Sequence, residues 1–225
     1  MIEAENITKV YKTGDVEYKA LDNVSLTIKR GEFIAIMGPS GSGKSTLMNI
    51  LACLDRFDSG RYKLNGKDIT FMNDNQLAKI RNKEIGFVFQ NFNLLPKLNL
   101  LENVELPMIY AGVGKKARHD TAMKALEKVK LTKWYKHKPS EISGGQRQRV
   151  AIARSLVNKP FVIMADEPTG NLDSAVSIEV MHIFQELNED GVTIVMVTHE
   201  EDIARFAQRI ITVKDGRIVS DESAN

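Results

Sequence analysis

Five short, mostly apolar runs recur along the chain: Phe33-Ile34-Ala35-Ile36-Met37, Ile85-Gly86-Phe87-Val88-Phe89, Phe161-Val162-Ile163-Met164-Ala165, Thr193-Ile194-Val195-Met196-Val197 and Ile210-Ile211-Thr212-Val213. Each is too short for a stable helix and is bounded by turn residues, which predicts buried strands. Apolar residues at helical spacing fill much of the rest: Thr46–Leu51, Asn73–Asn82, Leu101–Tyr110, Lys115–Lys130, Gln146–Val157 and Ser174–Glu189. Strands alternating with helices predict a mostly parallel, doubly wound α/β core. The N-terminal segment reads differently. Ile2, Ala4, Asn6 and Thr8 oppose Glu3, Glu5 and Ile7, predicting an edge strand, and a second strand is centred on Leu21–Ile28. Arg30-Gly31-Glu32 forms a turn, Arg61–Gly66 a short strand and turn, and Asp215-Gly216 a hairpin between two strands. From Asn91 to about Lys138 the texture is helical throughout, predicting a separate helical lobe. The expected organisation is one domain over 1–225: a core of 1–90 and 146–225 carrying an antiparallel β part, and an inserted helical part at about 91–145.

One loop carries most of the chemistry. Gly38-Pro39-Ser40-Gly41-Ser42-Gly43-Lys44-Ser45-Thr46 fits the phosphate-binding template G-x-x-x-x-G-K-[ST] and sits between a strand and a helix, where that template works. Glycines let the backbone wrap a phosphate chain, and the first helical N–H groups point at it. Lys44 would reach the β- and γ-phosphates, and Ser45 would offer its hydroxyl to Mg2+. A flexible Gly/Ser turn would need neither the lysine nor the flanking strand and helix.

A second element is the strand that delivers Asp166 and Glu167 at its C-terminal end, the side on which open α/β sheets bind ligands. One carboxylate can hold Mg2+, and its neighbour can polarise an attacking water. Alternation along a strand predicts that the two side chains point differently. The third element is Ile142-Ser143-Gly144-Gly145-Gln146, where Ser143 stands at an N-cap and a second helix N-terminus is ready to meet an anion. Alone it could be only a helix cap. Beside a cradle that already holds one nucleotide, it suggests that another subunit contacts the γ-phosphate.

Charge and composition narrow the partners. A net charge of +2, from 31 basic and 29 acidic residues, gives no electrostatic case for bulk nucleic-acid binding. The single cysteine, Cys53, excludes an internal disulfide, fits a reducing compartment and is expected to be a buried thiol on the apolar face of the helix after the loop. Met1–Glu5 does not open a signal peptide, and no apolar run approaches the roughly 20 residues that span a bilayer. The chain is expected to be cytosolic or to reach a membrane only through a partner.

Taken in order, Tyr11, Gly38–Thr46, Gln90, Ile142–Gln146, Phe161–Glu167, Asn171-Leu172-Asp173 and His199 resemble the ATPase subunit of ABC transporters along essentially the whole chain. The resemblance implies a P-loop NTPase fold with a RecA-like sheet, ATP and Mg2+ as ligands, and hydrolysis of ATP to ADP and phosphate. It implies that Tyr11 stacks on adenine, although by spacing alone Tyr11 is equally a strand aromatic. Gln90 would sense Mg2+ and the attacking water, Glu167 would be the general base, and Asp166 the Mg2+ partner. His199 would touch the γ-phosphate, whereas His119, His137 and His182 are read as structural. Ser143, Gly144, Gly145 and Gln146 would close on ATP held by a second copy, and Asp173 would bridge the two copies in a head-to-tail dimer.

Ile142 stands where the family usually has Leu, a swap of similar volume. Gly170-Asn171-Leu172 stands where many relatives carry Ser-Ala-Leu. That form, with Ile85–Pro96, Glu102–Pro107 and the longer hairpin between Tyr11 and Leu21, resembles the lipoprotein-release, macrolide-efflux and cell-division branch. The branch implies export or extraction of a lipoprotein, peptide or drug-like substrate through a separate integral-membrane permease. An extracytoplasmic adaptor is a further expected partner, nucleic acid is not, and the expected location is the cytoplasmic side of the membrane. The permease would dock near Gln90–Pro96, where Phe92, Leu94 and Leu95 are either contact residues or core residues. Regulation of a membrane complex without transport, a soluble ABC ATPase acting on nucleic acid, and a P-loop metabolite kinase are the alternatives.

Overall fold

The computed structural model describes residues 1–14 and 16–224. Ten strands and seven α-helices follow in chain order: β1 (Ile2–Thr13), β2 (Val16–Ile28), β3 (Phe33–Met37), α1 (Lys44–Leu51), β4 (Ser59–Leu64), β5 (Lys67–Asp68), α2 (Asp74–Glu84), β6 (Ile85–Phe89), α3 (Leu100–Tyr110), α4 (Lys115–Lys128), α5 (Gly144–Leu156), β7 (Val162–Asp166), α6 (Ser174–Glu189), β8 (Thr193–Val197), α7 (Glu201–Ala204), β9 (Arg209–Lys214) and β10 (Arg217–Ser223). They build a six-stranded sheet of order β10-β9-β3-β8-β7-β6 and a four-stranded sheet of order β2-β1-β4-β5. In the larger sheet β9, β3, β8, β7 and β6 run parallel, and β10 closes one edge antiparallel to β9. Asp215 and Gly216 both take positive φ, 48° and 74°, as a two-residue hairpin turn requires.

Alternation along the central strands divides the core. Ile34 and Ile36 of β3 face α1 and the antiparallel sheet, with Leu47, Ile50 and Leu51. Phe33 and Ala35 face the opposite layer, where Val150, Ile152, Val180 and Phe184 of α5 and α6 join Leu100, Val104 and Leu126 of α3 and α4. The parallel strands are buried on both faces, which explains their continuous apolar sequences. Asn103, fully buried on α3, holds the loop before its own helix: its side chain accepts from the Leu95 N–H at 2.7 Å and donates to the Leu95 carbonyl at 3.1 Å.

β1 is not an edge strand. It lies between β2 and β4. Asn6 takes φ 53°, and the register with β2 shifts between Ala4 and Ile7. This bulge reverses the phase of the alternation and puts Ile7 on the same buried face as Ile2 and Ala4. Cys53 is buried as expected but lies just past the end of α1, at φ 57°, and burial pushes its thiol up to about 12. Among the described residues no helix is long and apolar enough to cross a membrane.

Candidate functional site

Four helix starts are closed by their own sequence. Asn73, Asn99, Ser143 and Asp173 each accept a backbone N–H of the first turn of α2, α3, α5 and α6. The start of α1 has no such cap. Its N-cap is Gly43, and the first turn carries no acidic residue. That leaves the first-turn N–H groups and the positive end of the helix dipole to an external anion. Gly43 is required there: its φ is 105°, and a Cβ would stand 2.4 Å from the Ala20 carbonyl oxygen.

The loop ahead of α1 is pinned from two sides. The Tyr18 hydroxyl on β2 donates to the Gly41 carbonyl at 2.7 Å, and the Gly216 N–H donates to the Ser42 carbonyl at 2.9 Å. Lys44 is buried, and its Nζ donates to the carbonyls of Gly38 and Pro39, each at 2.8 Å. A compact cation thus sits inside the loop, held by dipoles of the kind that phosphate oxygens would replace. Ser40 and Ser45 are exposed, and the Tyr18 contact was not signalled by any motif, only by its place directly across the hairpin from Tyr11.

The ends of β7, β8 and β6 complete this rim. Asp166 ends β7, and no side chain donates to its carboxylate among the described residues. Burial, and then the neighbouring Glu167 charge, hold its carboxyl above the usual value, while Lys44 pulls it the other way. The sequence predicts that strand alternation orients Glu167, but β7 ends at Asp166 and Glu167 lies beyond it. Its backbone turns into the left-handed region at φ 44°, with its N–H donating to the Val197 carbonyl at 2.9 Å. This swings the carboxylate toward His199 beyond β8, and Glu167 Oε1 lies 3.1 Å from His199 Nδ1. Gln90 follows β6, whose register pairs Phe89 with Asp166.

Because folding raises the Asp166 pKa, ionising it opposes folding. That cost is absent below the unfolded value near 3.8 and fully present above the folded one. Asp166→Asn is therefore expected to melt above the parent at pH 7, with the advantage vanishing as the pH falls toward about 4. Melting curves of both proteins across that range check it, and equal midpoints at pH 7 would show that the carboxylate is not under electrostatic strain.

Ser143–Gln146 and Asp173 are engaged in helix caps of their own. Ser143 and Gln146 form a reciprocal capping box at the start of α5, and the Asp173 carboxylate accepts the Val176 N–H at the start of α6. Gly145 permits the contact between these helices, since a Cβ there would stand 2.3 Å from Val176 Cγ1. Among the described residues no hydrogen bond joins Ser143–Gln146 to the phosphate loop, Asp166, Glu167 or His199. Tyr11 is on the rim side: its hydroxyl donates to Asp55 at 2.8 Å, Lys9 lies over its ring at 5.0 Å, and the ring stays partly exposed. His119 lies beside Glu105, His137 against Trp134 and His182 against Phe206, all away from these groups.

A family model described as ABC transporter matches residues 21–170, a span that contains Gly38–Thr46, Gln90, Ser143–Gln146, Asp166 and Glu167. The chain is 54% identical over 223 residues to YknY of Bacillus subtilis, an uncharacterized ABC transporter ATP-binding protein, covering 99% of this chain and 97% of YknY. It is 56% identical to the macrolide export ATP-binding/permease protein MacB of Chlorobaculum tepidum, covering 98% of this chain and 34% of MacB. A dimeric structure of the ATP-binding cassette MJ0796, bound to ADP and Pi in a post-hydrolysis state, superposes with a TM-score of 0.91 at 47% identity, over 100% of this chain and 99% of the other; MJ0796 is from Methanocaldococcus jannaschii. The chain belongs to the ABC transporter family, among its ATP-binding proteins.

Proposed function

We propose that this ABC ATPase works as a head-to-tail pair of copies and drives export or extraction by a separate membrane permease. The observation that carries the reading is the convergence, at the C-terminal ends of the central strands β3, β7 and β8, of an uncapped helix start, a buried lysine, and the Asp166, Glu167 and His199 side chains. In this reading the N–H groups of Gly38–Thr46 and Lys44 hold the phosphates, and Tyr11 supports the adenine. Glu167 takes the proton of the attacking water, with His199 holding its carboxylate in place and meeting the γ-phosphate. Asp166, Ser45 and Gln90 would hold Mg2+, which neutralises charge on the β- and γ-phosphates. The donor set fits that ion: Asp166 is a half-buried carboxylate to which no side chain donates among the described residues, and a hard oxygen donor of this kind suits Mg2+.

The separate α5 start supports the paired arrangement. Among the described residues the α5 start, with its two glycines, makes no hydrogen bond to the phosphate loop, Asp166, Glu167 or His199 of its own chain, and the related MJ0796 cassette is described as dimeric. Ser143–Gln146 would then close on ATP held by the second copy, with Asp173 at the junction. Ser143→Arg is expected to lower ATP turnover at least about 100-fold while a single copy still binds ATP almost as tightly as the parent. Calorimetry and turnover on one preparation test this, and a large fall in single-copy affinity would put Ser143 in its own chain's pocket.

The division of the chain follows the same reading: one ABC ATPase domain over 1–225, with 91–145 as the helical part. MacB unites ATP-binding and permease functions in its name, which supports a permease as the partner; that the permease is a separate chain and that this one sits on the cytoplasmic side belong to the same proposal. Of the three apolar residues expected to meet the permease, Leu94 packs into the core and Phe92 lies under Arg147. Leu95 alone lines an open groove, together with Phe87, Phe89, Leu106 and Tyr110 and the cations of Lys79, Arg81 and Lys83. An amphipathic permease segment with acidic side chains fits that lining. Lipoprotein, peptide and drug-like molecules are the substrate classes of the branch, and an extracytoplasmic adaptor belongs to the same proposal.

A further inference from the structure

Two residues of the Gly170-Asn171-Leu172-Asp173 segment, where the chain departs from the commoner family pattern, make direct contact with Gln90. A Cβ at Gly170 would stand 2.6 Å from Gln90 Nε2, so a larger residue would displace the Gln90 amide: the φ of Gly170 is not positive, and the amide occupies the room its side chain would take. Next to it, Asn171 Nδ2 donates to the Gln90 carbonyl at 3.1 Å and to Asn91 Oδ1 at 2.8 Å. The far side of the same stretch is held by α5, where Arg154 donates to the carbonyls of Phe92 at 2.8 Å and Asn93 at 2.5 Å. Phe92 and Asn93 both take left-handed backbone, φ 59° and 48°, a conformation that persists only when neighbours impose it. Beyond Asn171, Leu172 Cδ2 comes within 3.4 Å of where a Gly144 Cβ would stand, and Asp173 caps α6. The segment therefore touches the Gln90 stretch at one end and the α5 start at the other.

We propose that Asn171 is a positioning residue for Gln90. Its carboxamide fixes the main chain at Gln90 and Asn91, Gly170 leaves the space in which the Gln90 amide lies, and the two together set how Gln90 reaches toward the ends of β6 and β7. The proposal rests on the assignment of Gln90 to Mg2+ and the attacking water. A loop tie with only a structural role would change stability and leave turnover alone. A positioning tie changes turnover through Gln90, with little effect on ATP binding by the phosphate loop.

The test uses the full chain, with Asn171→Ala, Gly170→Ala, Gln90→Ala and the Asn171→Ala/Gln90→Ala double variant, each assayed for ATP turnover and for amide hydrogen exchange at Gln90–Asn93. Asn171→Ala is expected to lower kcat about fivefold to tenfold with KM for ATP held within about twofold, the loss of two hydrogen bonds from one carboxamide. Exchange at Gln90–Asn93 rises in the same variant. Gly170→Ala gives the same pattern of kcat against KM by displacing the amide. The double variant is no slower than Gln90→Ala, because the second change acts through the residue already removed. Losses that multiply in the double variant, or exchange at Gln90–Asn93 that is unchanged in Asn171→Ala, overturn the proposal. A reduced kcat in Gln90→Ala beside a full kcat in Asn171→Ala overturns it while leaving the role of Gln90 standing. A full kcat in Gln90→Ala removes the role of Gln90 itself, and this proposal with it.

Discussion

Glu167→Gln is expected to bind ATP as the parent does and to hydrolyse it about 10²- to 10⁴-fold more slowly, the range that a positioned general base contributes. The substitution keeps volume and one acceptor oxygen, so the left-handed backbone at φ 44° and the Glu167 N–H bond to Val197 have no reason to change. What it removes is the charge that takes a proton. It also removes the carboxylate that faces His199 Nδ1 at 3.1 Å, leaving an amide that can still accept one hydrogen bond. Binding is carried elsewhere, by the α1 N-terminus and Lys44, which explains why affinity and turnover should separate. Single-turnover hydrolysis beside equilibrium binding checks the separation. Parent-like turnover would remove Glu167 as the base and leave the water to be activated by the phosphate itself.

Lys44→Ala is expected to have the opposite signature, with the loss falling on binding. A charge-assisted contact to phosphate contributes about 1.5–3 kcal/mol, so affinity should fall roughly 10- to 150-fold. The structure adds a second effect. The Lys44 Nζ joins the carbonyls of Gly38 and Pro39, and its removal leaves two loop carbonyls without that donor. The loop is still pinned by Tyr18 and Gly216, so the fold should survive with a melting point close to that of the parent. Calorimetric titration with ATP, run beside a melting curve, separates lost affinity from lost structure. Undiminished affinity would refute the role given to Lys44.

Local signals were the legible ones. The phosphate loop could be found because glycine, lysine and serine must stand at fixed spacing between a strand and a helix. The Asp166–Glu167 pair could be found because an apolar run ends on it, and the Asp215-Gly216 turn because its type demands those residues. The helix cap Ser143 also falls where short-range hydrogen bonding dictates. What escaped depends on backbone irregularity or on contacts between distant segments. Pairing with the distant β4 makes an apparent edge strand an interior one, and a bulge at Asn6 reverses its alternation. A left-handed residue, not strand alternation, aims Glu167. Leu94 and Phe92 look as available as Leu95 in the sequence, yet only the fold shows which of them faces the groove. Asn171 and Gln90 are 81 positions apart, and no periodicity or motif announces that one holds the other.

The central claim is that each phosphate loop is half of a site and that the α5 start of a second copy supplies the rest. Light scattering of the Glu167→Gln protein in saturating Mg2+-ATP, alone and with Ser143→Arg added, tests it most directly. The expected masses are twice 25.2 kDa for the single variant and 25.2 kDa for the double, with ATP bound in both. A single-copy mass for Glu167→Gln with ATP bound, or a pair that survives Ser143→Arg, would contradict it.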